Sequence, residues 1–191
     1  SMGTWAIRTA CQEIKLLETL NLPPVPISIN LSGVQFTHPL LIEELRSALE
    51  EFKIKSGQLE VEIKETTLMK DFDLTVHTLN QLNELGISSS IDDFGAGYSS
   101  LVKLKSMPVQ CIKIDQAFLR ELCQPTNRAI LKTVVELAKN LGLKTIAEGI
   151  ETEEQGNYLR EIGCDEGQGY LFSPPLTAEE MKDLLAKNPA F

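Results

Sequence analysis

LEVEIK, residues 59–64, alternates without a break: Val61 and Ile63 fall on one face of an extended chain, and Glu60, Glu62 and Lys64 on the other. The same two-residue period recurs in PISINL, residues 26–31, where Ile27, Ile29 and Leu31 oppose Ser28 and Asn30. It recurs again in CIKID, residues 111–115, where Ile112 and Ile114 oppose Lys113 and Asp115. A strand covered by helices on both faces reads instead as a continuous apolar run. These strands carry one apolar face, suited to covering helices, and one polar face towards their C-terminal ends. That pattern fits a β/α barrel whose inner mouth holds polar groups.

Outward from these runs, further strands are predicted at ISSSID (87–92), KTIAE (144–148) and GQGYLF (167–172). Helical patterns lie between them near 39–53, 71–85, 126–141, 152–162 and 177–187, after an opening helix near 4–20. Repeated strand-then-helix units argue for a parallel sheet. The fold class read here is α/β, a TIM-type (β/α)8 barrel. Six strands are visible where such a barrel has eight, and the chain opens on a helix. It therefore reads as about six βα units of a barrel lacking its first two strands, a single domain fragment over 1–191 with Ser1-Met2 as a tag remnant.

Composition narrows the function. The chain has 191 residues, 27 acidic against 18 basic, and a net charge of −9, which disfavours binding to a nucleic-acid backbone. No DNA or RNA partner is expected. No run approaches the ~20 apolar residues of a membrane span, so no membrane contact is expected from this segment. Cys11, Cys111, Cys123 and Cys164 are scattered, and His38 and His77 lie far from any of them. Reduced thiols in a cytoplasmic setting are expected, and no zinc site.

Polar residues end each strand in turn: Asn30, Glu62, Asp92 with Asp93, Lys113 with Asp115, Glu148 and Gln168. In a TIM-type barrel that rim is where active sites are built. Oxygen ligands without His or Cys suit Mg²⁺ or Mn²⁺. Within IDDFGAGYSSL, residues 91–101, two adjacent carboxylates suit a pair of metal ions ~3.5–4 Å apart, the arrangement that clamps a phosphoester. Strand alternation points Asp92 inwards. Gly95 and Gly97 are expected to release the backbone just beyond, so that Asp93 swings to the same side.

IDDFGAGYSSL resembles the corresponding loop of the EAL domains, the cyclic di-GMP phosphodiesterases. INLSGVQF (29–36), VEIKETTL (61–68), CIKIDQAFL (111–119), TIAEGIETEEQ (145–155) and GCDEGQGYLFSPPL (163–176) resemble that family in family order. The resemblance implies hydrolysis of one phosphodiester of cyclic di-GMP to linear pGpG, with water activated by two Mg²⁺ or Mn²⁺ ions. Asn30, Glu62, Asp92, Asp93 and Glu148 match metal positions; Lys113 matches the lysine near the attacking water, with Asp115 following on the same face. Glu65 matches a glutamate that holds the Asp92–Ser100 loop, and Glu151 and Gln168 match positions lining the site. The general base stays open between Glu148 and Lys113. Adjacent carboxylates favour a charged lysine, so Lys113 reads better as a cation that orients water or offsets charge. A homodimer is expected, through the helix after the DDFG loop or through unpaired barrel edges.

Departures from the family set further expectations. The Glu-Ala-Leu motif lies on a strand ahead of the helix on which this chain begins, and its glutamate is a metal ligand. The chain is therefore expected to be a truncated piece of an active phosphodiesterase, with the activity of the piece itself left open by the missing ligand. The alternative is a non-catalytic cyclic di-GMP receptor or protein-interaction module on the same fold. Lys64 stands where the family usually has threonine, Ala96 replaces the loop's usual threonine, and Pro174 stands where arginine or lysine is common. All three are read as minor.

Overall fold

A computed structural model describes residues 2–95 and 101–187. The strands are β1 (Ile27–Leu31), β2 (Leu59–Lys64), β3 (Ser88–Phe94), β4 (Cys111–Ile114), β5 (Lys144–Glu148) and β6 (Glu166–Gln168). Their order in the sheet is their order in the chain, and each described register is parallel. Helix α1 (Met2–Thr19) precedes them. Strand β1 leads to α2 (Gly33–Phe36) and α3 (Leu41–Phe52); β2 leads to α4 (Glu65–Leu68) and α5 (Phe72–Glu84). Strand β3 leads to α6 (Leu101–Ser106), and β4 to α7 (Ala117–Arg120) and α8 (Pro125–Asn140). Strand β5 leads to α9 (Glu153–Ile162), and β6 to α10 (Ala178–Lys187). This is the expected βα series of six strands. No described helix is long and apolar enough to cross a membrane.

Two compact units are distinguished: Ser1–Ile63 with Asp73–Ser89 and Pro175–Phe191, and Lys64–Phe72 with Ser90–Pro174. In the first, α1 packs on α3 and on β1. Ile7, Cys11 and Ile14 of α1 and Leu41, Leu45 and Ala48 of α3 are buried at helical spacing. Each fully buried Leu or Ile contributes about 1.5–3 kcal/mol relative to exposure. The alternation read in the sequence is present: Ile29 and Leu31 are buried while Ser28 and Asn30 are exposed. Leu59, Val61 and Ile63 are buried while Glu60 and Glu62 are half-buried.

In the second unit, β4 and β5 lie against α7, α8 and α9 over a core of Ile114, Leu119, Leu122, Leu131, Val135, Ala147, Ile150 and Leu159. Helix α8 starts on Pro125, where a missing N–H is harmless, and buries Leu131, Val135 and Ala138 on one stripe. Helix α9 opens with a capping box of Thr152 and Gln155 and closes on Gly163 in the left-handed region (φ 79). Its following residue pairs are tied back to β5: the Asp165 carboxylate accepts the Thr145 N–H at 2.9 Å and the Thr145 hydroxyl at 2.8 Å.

One strand differs from expectation. The run predicted as 167–172 is extended only to Gln168, and Tyr170–Phe172 form a turn. At Gly169 the chain comes against Ile150 so closely that a Cβ would lie 2.2 Å from the Ile150 carbonyl oxygen. That carbonyl accepts the Leu171 N–H, and the Gly169 carbonyl accepts the Phe172 N–H. The aromatic residues that read as strand, Tyr170 and Phe172, are left exposed.

Candidate metal centre

The second unit builds its polar face by register. Ile112 pairs with Thr145 and Ile114 with Ala147, so these face the core; Lys113, between them, pairs with Ile146 and shares the opposite face with Glu148. Glu148 pairs in turn with Gln168 of β6. Lys113 is 5 % exposed, and its Nζ lies 2.6 Å from Glu148 Oε1. A buried ammonium is tolerable only with such a partner.

Strand β3 departs from regular alternation where the aspartates stand. Ile91 pairs with Ile112 and Phe94 with Ile114, leaving both Asp92 and Asp93 opposite the single residue Lys113. This is a β-bulge, two residues against one. The extra residue is absorbed at Asp93, whose φ is 54, in the left-handed region that aspartate enters more readily than most residues. The sequence predicted that Gly95 and Gly97 would turn Asp93 inwards. The bend instead lies at Asp93 itself, because the pairing with β4 resumes at Phe94 and the surplus must be taken up before it. Gly97 lies outside the described residues.

The result is a cluster of three carboxylates. Asp92, Asp93 and Glu148 each present an oxygen within 4.8 Å of the others; Asp92 is 8 % exposed. Such a group suits a hard divalent cation. Two ammonium groups offset its charge: Lys113 on Glu148, and Lys64, whose Nζ lies 2.6 Å from Asp93 Oδ2. The hydrogen bond and charge of Asp93 raise the Lys64 pKa above its ordinary 10.5, with Asp92 and Asp115 adding through space. The sequence reading treated Lys64 as a minor departure; its contact with Asp93 corrects that. The signal was available, because Lys64 shares the polar face of β2 with Glu62.

Beneath the bulge, buried Glu65 accepts the Gly95 N–H at 2.9 Å. Gly95 has φ 96, and a Cβ there would stand 2.5 Å from Phe118 Cζ. Phe118, which sequence reasoning missed, thus wedges the chain just past the aspartates. Asp115 turns one carboxylate oxygen to the Ala117 N–H at 2.6 Å and so starts α7. Glu151 and Gln168 are exposed, and the Gln168 carbonyl accepts the Ile150 N–H. In the first unit, Asn30 and Glu62 are brought together as register partners on β1 and β2.

The sequence profile of the EAL domain matches residues 1–175. The chain is 39 % identical over 181 residues to the bifunctional diguanylate cyclase/cyclic di-GMP phosphodiesterase MucR of Pseudomonas aeruginosa, covering 94 % of this chain and 26 % of MucR. It is 36 % identical over 185 residues to the cyclic di-GMP phosphodiesterase NbdA of the same organism, covering 96 % of this chain and 24 % of NbdA. The chain therefore spans about a quarter of the length of these curated relatives. Among solved structures, the MucR phosphodiesterase in complex with cyclic di-GMP superimposes with a TM-score of 0.91 at 39 % identity, over 94 % of this chain and 73 % of that one. The EAL domain of Mycobacterium smegmatis DcpA gives 0.93 at 37 %, over 100 % and 86 %. A manganese/cyclic di-GMP complex of Klebsiella pneumoniae BlrP1 gives 0.79 at 32 %, over 90 % and 44 %.

Proposed function

The chain belongs to the EAL domain family, and we propose that it is the phosphodiesterase portion of a protein that hydrolyses one ester of cyclic di-GMP to linear pGpG. The observation that carries this reading is the bulge that sets Asp92 and Asp93 side by side with Glu148 around a buried lysine. In this reading Asp92, Asp93 and Glu148 are ligands to Mg²⁺ or Mn²⁺, two ions in all, and the register partners Asn30 and Glu62 of the first unit are metal ligands by the family resemblance. Bound there, divalent ions neutralise phosphate charge and lower the pKa of an attacking water. The donor set fits, being all oxygen and mostly carboxylate.

The chain's own residues supply the rest. Lys113, held by Glu148 and shielded from solvent, is a fixed cation beside the cluster, placed to orient water or to offset charge on a phosphate oxygen. Asp115 sits on the same face and starts α7. Glu65, through the Gly95 N–H, fixes where the bulge ends. Glu151 and Gln168 line the approach. Exposed Leu101 and Val102 on α6 support a homodimer through that helix, and four free cysteines agree with a cytoplasmic setting.

The test is incubation of cyclic di-GMP and Mn²⁺ with the protein and with Glu148→Gln, separating pGpG by chromatography. Linear product from the former and none from the latter is the expected result. Undiminished turnover by Glu148→Gln would remove the metal assignment. Turnover by a form extended ahead of Ser1, with none from the 191 residues, would assign the activity to the longer protein. Binding of cyclic di-GMP without product in either form would make this a receptor.

A further inference from the structure

The sequence and structure together single out Lys64. It is the last residue of β2, and the residue after it, Glu65, is buried and bonded to the Gly95 N–H. Lys64 itself reaches Asp93, two residues before Gly95, at 2.6 Å. Adjacent residues of one segment thus grip adjacent parts of the other, so the lysine is aimed at Asp93 by the backbone around it. Its side chain is 62 % exposed and that of Asp93 is 34 % exposed. The ammonium therefore sits on the solvent side of the carboxylate cluster, while Lys113 sits on the buried side against Glu148.

We propose that Lys64 is a tethered cation that competes with a divalent ion for Asp93, so that the cluster takes one ion readily and a second more weakly, against the charge of the lysine. The inference rests on the metal reading of the cluster given above. The ammonium on Asp93 Oδ2 draws charge from the carboxylate and repels a divalent ion placed on either of its oxygens, since two cations that close repel. An exposed lysine can swing into solvent, so the competition weakens the second ion without abolishing it. The chain thereby gains a dependence on metal concentration that a neutral residue would not confer.

Mn²⁺ binding to the protein, counted by electron paramagnetic resonance of the free ion at fixed ionic strength, tests this without any turnover. Lys64→Thr and Lys64→Met are expected to tighten the weaker of two Mn²⁺ sites by roughly three- to tenfold, the scale of one screened charge contact. Lys64→Arg should bind as the unsubstituted protein does. Two ions bound with the same constants in the protein and in Lys64→Met would overturn the proposal while leaving the metal reading intact. Tightening in Lys64→Thr but not in Lys64→Met would also overturn it, since an added hydroxyl ligand would then be the cause. Absence of Mn²⁺ binding in every form would overturn the metal reading and this inference with it.

Discussion

Replacing Gly95 with alanine tests whether Phe118 and the backbone jointly fix the end of the aspartate bulge. Two costs are legible in the geometry. At φ 96 an L-residue is strained by roughly 1–2 kcal/mol. The new Cβ would also stand 2.5 and 2.6 Å from two Phe118 ring atoms, and overpacking of that kind costs about 1–3 kcal/mol. Phe118 is packed against the core of the second unit, which limits how far its ring can retreat. Gly95→Ala should therefore lose about 2–5 kcal/mol in urea unfolding, a large share of the ~5–15 kcal/mol typical of a folded domain. Phe118→Ala removes the obstacle and not the backbone strain. The double variant should accordingly be about 1–2 kcal/mol more stable than the two single losses predict, a coupling well above that of independent sites. Additive losses, or a Gly95→Ala protein within 0.5 kcal/mol of the unsubstituted one, would refute the wedge.

Other consequences follow from separate parts of the chain. Asp165→Ala strands the buried Thr145 hydroxyl and its N–H and should cost about 2 kcal/mol in thermal or urea unfolding, from the loss of hydrogen bonds to a charged acceptor; Asp165→Asn should recover part of it. Glu18, whose pKa is pulled from 4.5 to about 2 chiefly by the Lys15 ammonium, then by Gln58 and Lys55, adds stability that is fully present above pH 4.5 and is lost as pH falls through about 2. Between those limits the stability of Glu18→Gln should decline less steeply than that of the unsubstituted protein. Burial raises the thiol pKa of both Cys11 and Cys164, whereas Cys123 is exposed. A disulfide reagent at neutral pH should label Cys123 first and Cys11 only on unfolding, and equal rates at all three would refute the burial order.

Much of this protein follows from local periodicity, because the direction of a side chain along a strand depends only on its place in the alternation. That is why Val61, Ile63, Ile112 and Ile114 face a core, and why Lys113 and Glu148 share the other face. The ordered motifs carried the family by the same logic of residue type at fixed spacing. The direction of Asp92 was legible for that reason; that Asp93 joins it was expected too, but not its cause, which depends on where β3 resumes pairing with β4, some twenty residues further along. The glycines after it were a local explanation for an effect produced by register between strands. The end of β6 likewise depends on how close Ile150 comes to Gly169, which no property of GQGYLF contains. Lys64 on Asp93, Glu65 under Gly95 and Phe118 against it are contacts between segments distant in sequence. Sequence alone determined which residues could form the cluster. Tertiary pairing decided how Asp93 enters it, through a bulge opposite Lys113 rather than through the glycines, and that Lys64 lies on its carboxylate.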